Sequence, residues 1–231
     1  FQDLGKSQDA LESYLKAIES NPKVSHIYPY ITQFLRDSDP SELNQSQLKK
    51  ILHLLLSKND VNHNDLFKAF NFTYKKEVIN NIEKLRSPFS KKEIFPIFLN
   101  DEIVINSMKK IILRDPHWEL ILTKLRRDVC NIIANKQVYL ITWDLKIIIA
   151  LAEQCFSNEY IYSINEEETK SLKKIISICN SDKLNEINLS LLACYFPLYK
   201  LLEQIPSIKH MKSKDNNFKE LIKVQLLEPL E

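Results

Sequence analysis

GKSQDALESYLKAIESNP, residues 5–22, is the stretch on which the fold turns. Ala10, Leu11, Tyr14, Ala17 and Ile18 recur at helical spacing and fall on one face, while Lys, Glu and Ser occupy the other. Gly5 precedes this amphipathic run and Pro22 closes it, so the segment reads as one helix with a turn on each side.

Gly5 is the only glycine in 231 residues. At about 7% usage a chain of this length would hold roughly sixteen. Tight hairpins, phosphate-cradling loops and strand-to-helix elbows depend on glycine, so the composition favours helices joined by Asn, Asp, Ser and Pro. It also argues strongly against a P-loop or dinucleotide-type site, which needs several glycines within a few residues.

The remaining composition is that of a globular protein. Hydrophobic residues make up 44%, charged residues 27%, and the net charge is +2. Near-neutrality offers no electrostatic case for nucleic acid or an acidic membrane surface. No apolar run approaches the length of a membrane span. Cys130, Cys155, Cys179 and Cys194 are scattered, with no CxxC pair and no histidine at zinc spacing. They read as small buried hydrophobes of a reducing, cytoplasmic setting.

Helical patterns run through most of the chain. A helix is expected over about residues 25–36 with Pro29 in its first turn, and another whose stripe is Leu48, Ile51, Leu52 and Leu55. Short helices are expected around Asp65–Phe70 and Lys75–Leu85. SPFSKKEIFPIFLND reads as a connector, because Pro96 lies too deep for a regular helix. Asp115 and Pro116 then open a helix carrying Trp118, Leu122, Leu125, Val129 and Ile132. Thr142 caps the next, to about Phe156, and Asn165 with Glu168 forms a capping box for a helix reaching Cys179. A long apolar helix, kinked at Pro197, is expected over Leu189–Leu202, and a last one over Phe218–Leu227.

The opening stretch resembles the second helix of a tetratricopeptide repeat. The resemblance rests on Gly5 at the turn, Ala10 and Ala17 as small residues where helices approach, Leu11 and Tyr14 filling the groove beside them, and Pro22 as the stop. It implies that Phe1–Leu4 are the tail of the first helix, that further repeats lie upstream, and that SHIYPYITQFLRD is a degenerate first helix of the next unit. It covers about the first tenth of the chain.

A wider resemblance involves TQFLRDSDPSELNQSQLKKIL, NDVNHNDLFKAFNF, LTKLRRDVCNIIA, ALAEQCFSNEYIY and ACYFPLYKLLEQIPS, in that order. These segments look like the all-helical region that follows tetratricopeptide repeats and precedes an S-adenosylmethionine-dependent methyltransferase domain in a group of bacterial proteins. AEQCFSNEYIY also resembles protein lysine methyltransferases of rickettsiae. The resemblance implies a methyltransferase parent with S-adenosylmethionine as its cofactor. It places no catalytic residue in this chain, since that cofactor sits on a glycine-rich loop after a strand.

Few side chains suggest chemistry of their own. Cys155 with His117 could be a nucleophile and base, but nothing in the sequence brings them together. Lys124, Arg126 and Arg127 form one basic cluster, most simply a solvated face. The five histidines are dispersed, and Trp118 and Trp143 read as core anchors. Glu153 interrupts the apolar LKIIIALAEQCF. It either forms a buried ion pair with Arg126 or shares a narrow solvent strip with Lys146. The strip is the simpler reading, because charged residues are almost never fully buried unless paired. Apart from that line, residues 143–156 are apolar all round. This helix is therefore expected at the domain's centre, against the helix from Pro116 and the one near Leu189, with Ile148 deeply buried.

The expected architecture is all-α: the end of a repeat array over 1–36, a helical continuation over 41–87, and an all-helical linker domain over 97–231. The expected role is non-catalytic, holding a protein or peptide partner within a larger methyltransferase. A free-standing helical adaptor is the alternative, and a small enzyme with a Cys or Glu centre a distant third.

Overall fold

The structure, a computed structural model, describes residues 6–21, 25–85, 97–135, 145–157, 162–181 and 184–227. Among these residues every regular element is helical, so the chain is all-α. Gly5, Pro22, Thr142 and Trp143, to which the sequence reading assigns roles, lie outside the described residues.

The helices are α1 (Ser7–Ser20), α2 (Tyr28–Asp37), α3 (Gln45–Leu56), α4 (Phe67–Leu85), α5 (Glu102–Lys110), α6 (Pro116–Ala134), α7 (Leu145–Ser157), α8 (Glu166–Ser181), α9 (Glu186–Ala193), α10 (Leu198–Leu201) and α11 (Asn216–Ile222). Asn and Asp do the work that glycine-rich turns do elsewhere. Asn44, Asp101, Asp115, Asn185 and Asp215 each accept a backbone N–H of the first turn that follows, and Asn165 accepts the Glu168 N–H at 2.8 Å. Such a cap is worth about 1 kcal/mol.

The packing follows one rule. From α1 to α9, each helix rests on the helix two places along the chain. Helices α1, α3, α5, α7 and α9 make one row, and α2, α4, α6 and α8 the other. Cross-row pairs such as α3 with α4, α6 with α9 and α8 with α9 close the two rows on each other. A single hydrophobic cluster fills the space between them, from Ala10 and Leu11 to Phe218 and Leu221. Helices α3 with α5, and α4 with α6, pack across the connector expected near residues 88–96.

Several elements differ from the sequence reading. Residues 67–85 are one helix, not two, preceded by a 3-10 turn at His63–Leu66. Phe70, Thr73 and Tyr74 are all buried, so packing carries the helix through a stretch of weak helix formers. Helix α5, capped by Asp101, fills a stretch for which the sequence names no helix. Pro197 does not kink a long helix. Helix α9 ends at Ala193, and Pro197 stands as the residue before α10. Helix α11 runs on into a π-helical turn over Lys223–Leu227.

Helix α7 is the buried centre of the second half. Ile147, Ile148, Ile149, Ala150, Leu151 and Ala152 are each at most 1% exposed. Its main neighbours are α5 and α9, with α11 beside them. The helix near Leu189 is thus a neighbour as expected, but α5 takes the place expected for α6. The row rule is the reason, since α6 belongs to the opposite row.

Candidate functional site

A dense polar cluster surrounds Glu168, the third residue of α8. As the capping box predicts, Glu168 Oε2 accepts the Asn165 N–H at 3.0 Å while Asn165 Oδ1 accepts the Glu168 N–H at 2.8 Å. Three side chains complete the cluster. Arg126 Nε of α6 donates to Glu168 Oε1 at 2.9 Å, Arg127 Nε donates to Oε2 at 3.0 Å, and the Tyr195 hydroxyl donates to Oε1 at 3.0 Å. The guanidinium groups also reach the backbone carbonyls of Tyr162 and Ser163. Arg126 further lies over the Tyr195 ring, 5.2 Å from its centroid.

Burial alone would push the Glu168 carboxyl up. The Arg126 hydrogen bond, the Asn165 N–H and the guanidinium charge outweigh it and hold the group below its ordinary value. For Arg126 burial again opposes ionisation, and the Glu168 hydrogen bond and charge more than offset it. Burial also pushes the Tyr195 hydroxyl up, and the Cys130 thiol to about 11. Cys130, Cys155 and Cys194 gather near Arg126, all buried and all free of disulfides. Burial raises the Cys194 thiol first, and the neighbouring Cys155 adds to it. Burial thus favours the protonated form of Cys130 and Cys194, as in structural cysteines.

A polar recess of about 560 Å³ opens beside the cluster between α6 and α8, lined by Lys124, Arg127, Asp128, Asn131, Glu167 and Lys170 among others. A second recess, about 430 Å³, lies along α4 next to Gln45. Its lining combines the apolar Phe72, 39% exposed, and Ile79 with the exposed Lys75 and Lys76. Helices of the second row therefore supply most of the lining of both.

The structure separates the residues that the sequence reading paired. Arg126 is buried and paired, but with Glu168 and not Glu153. Helix α6 stacks on α8 within its row, so the acid it meets comes from there. Glu153 faces α5 and α11 instead. Its Oε2 lies 3.9 Å from Lys109 Nζ, and only 13% of its side chain is exposed. It therefore does not lie on a solvent strip with Lys146, which is itself exposed.

His117 and Cys155 are not brought together. His117 sits on the exposed first turn of α6, 3.2 Å from Asp115 Oδ1, roughly 13 Å of helix rise before Arg126, near which Cys155 is buried. The basic cluster is neutralised locally: Lys124 bonds Asp128 at 2.6 Å, and both arginines bond Glu168. Trp118 is a core anchor as expected. It is fully buried, stacked on Phe70 at 5.2 Å, and its Nε1 donates to Asn71 Oδ1 at 3.1 Å. Among the described residues no group of His, Cys, Asp and Glu is placed to hold a metal ion, and no helix is long and apolar enough to cross a membrane.

In α1, Ala10 and Leu11 are buried, and Tyr14 is half-buried with its ring 5.6 Å from that of Phe34 in α2. Ala17 differs from the expectation, being exposed. No family model, no curated protein and no solved structure matches the chain.

Proposed function

We propose that this chain is a non-catalytic interaction and positioning region of a larger protein, a tetratricopeptide-repeat-linked, S-adenosylmethionine-dependent methyltransferase that acts on protein. The two-row stacking from α1 to α9 is the observation that supports it most. Stacked helical hairpins offer extended surfaces to peptides and protein partners, which is how repeat solenoids bind. The α4 recess gives such a surface a chemistry. Phe72 and Ile79 suit an apolar anchor, and Lys75 and Lys76 suit acidic residues beside it.

In this reading S-adenosylmethionine binds elsewhere in the parent protein. Titration of the chain with S-adenosylmethionine in a calorimeter should give no binding heat, and micromolar binding would overturn the assignment. In the parent enzyme, Phe72→Asp should raise KM for a protein acceptor several-fold and leave kcat unchanged. An unchanged KM would remove the α4 recess from acceptor binding.

A further inference from the structure

Glu153 occupies the junction of α5, α7 and α11, and its environment is unbalanced. Its Oε2 is buried and accepts no hydrogen bond among the described residues. Lys109 of α5 stands 3.9 Å away, too far for a hydrogen bond. The same Lys109 Nζ reaches Asn217 Oδ1 of α11 at 3.5 Å. One ammonium group is thus shared between α7 and α11.

The other charge acting on Glu153 is Glu220 of α11, of like sign. Helix α9, on α7 as well, carries Glu186 in its first turn and is otherwise uncharged. Lys146, seven residues before Glu153 on α7, is exposed. Lys219 of α11 is turned to Asn216, and Lys110 of α5 to the carbonyl of Leu56.

The α5–α7 contact has a polar clamp of its own. Gln154 is 1% exposed, and with its amide oriented to satisfy both ends its nitrogen donates to Met108 O at 3.0 Å and Ile111 O at 2.8 Å. Helix α11 has the Lys109–Asn217 bond. When Glu153 ionises, its charge draws Lys109 away from Asn217 and repels Glu220. Both changes loosen α11, while Gln154 keeps α5 on α7.

We propose that α11 is a proton-gated latch, docked on α7 and α9 and tied to α5 through Lys109 while Glu153 is protonated, and released when Glu153 ionises. Burial, with Glu220 adding and Lys109 opposing, raises the Glu153 carboxyl from 4.5 to about 7. A carboxyl raised in the docked state stabilises docking most at low pH, and that contribution is lost as pH rises through about 7. Release uncovers Phe218 and Leu221, both fully buried when α11 is docked.

Amide hydrogen exchange of residues 216–222 in the whole chain, corrected for the intrinsic pH dependence of exchange, tests the latch. With 4.5 for the open state and about 7 for the docked one, protection should fall about tenfold from pH 6 to pH 8. Glu153→Gln should keep protection high at both pH values. Glu220→Gln changes an exposed side chain and removes the like charge that raises Glu153, so the loss of protection between pH 6 and pH 8 should be smaller and complete at a lower pH. Protection of α11 in the unaltered chain that does not depend on pH, or a pH-dependent loss that survives Glu153→Gln or stays in place in Glu220→Gln, would overturn the proposal.

Discussion

Arg126 Nε donates to Glu168 Oε1 over 2.9 Å, and the two side chains are 1% and 3% exposed. A buried pair contributes little net stability when intact, because desolvation of both ions offsets their attraction. Removing one member leaves the other as an uncompensated buried charge. Glu168→Ala should therefore destabilise the chain by about 3–5 kcal/mol in urea unfolding. Arg127, whose side chain is 36% exposed, shares the same carboxylate at 3.0 Å. Arg127→Ala should cost under about 1 kcal/mol. Equal losses would mean that water reaches the whole cluster.

The same carboxylate should govern the acid limb of stability. Glu168 is held below its ordinary value of 4.5 in the folded state. A depressed carboxyl stabilises the fold above the unfolded value, and that contribution is lost as pH falls through the folded one. Urea midpoints should therefore drop as pH falls below about 4.5. In Glu168→Gln the midpoint should be lower at neutral pH and the acid drop shallower. An identical acid drop in the two proteins would assign it to other carboxylates.

The two alanines of α1 make a further comparison. Ala10 is 4% exposed, so Ala10→Leu should overpack the core at a cost of about 1–3 kcal/mol. Ala17 is exposed, so Ala17→Leu should change stability by no more than about 0.5 kcal/mol in this chain. The proposed upstream repeats give a second arm. In a longer protein that carries them, Ala17→Leu should cost as much as Ala10→Leu, because a neighbouring helix would then cover that face. A thermal midpoint unmoved by Ala17→Leu in both chains would set the repeat reading aside.

Legibility in the sequence followed the range of the interaction. Asp115 and Asn165 mark their helices plainly, because a short side chain that accepts a first-turn amide is a local device. The stripe Leu48, Ile51, Leu52 and Leu55 is buried as its spacing predicts. Which helices meet is not local. The row rule sends Arg126 to an acid 42 residues away, where the sequence shows only a capping box. Capping uses one carboxylate oxygen, Oε2, and leaves Oε1 for a partner. An arginine at the edge of one apolar stripe and a half-used carboxylate on another helix are the two signals that could be joined. The recess along α4 carries no sequence signal, since Phe72 and Ile79 look like core residues until the described helices around them are placed.

Helix α7 gives the sharpest contrast within one element. Ile148 is 0% exposed at the middle of the helix, in a row between α5 and α9. Truncation removes its transfer free energy and leaves a cavity that close-packed neighbours on both sides cannot collapse to fill. Ile148→Ala should therefore cost about 2–5 kcal/mol. Lys146, two residues earlier, is exposed near the start of the same helix. Lys146→Ala should stay within about 0.5 kcal/mol, since alanine is the better helix former and little surface is lost. Equilibrium denaturation of the two variants decides the point. Similar small losses would place α7 at the surface and remove the row between α5 and α9, whereas similar large losses would mean that the Lys146 stem covers apolar surface its exposure does not reveal.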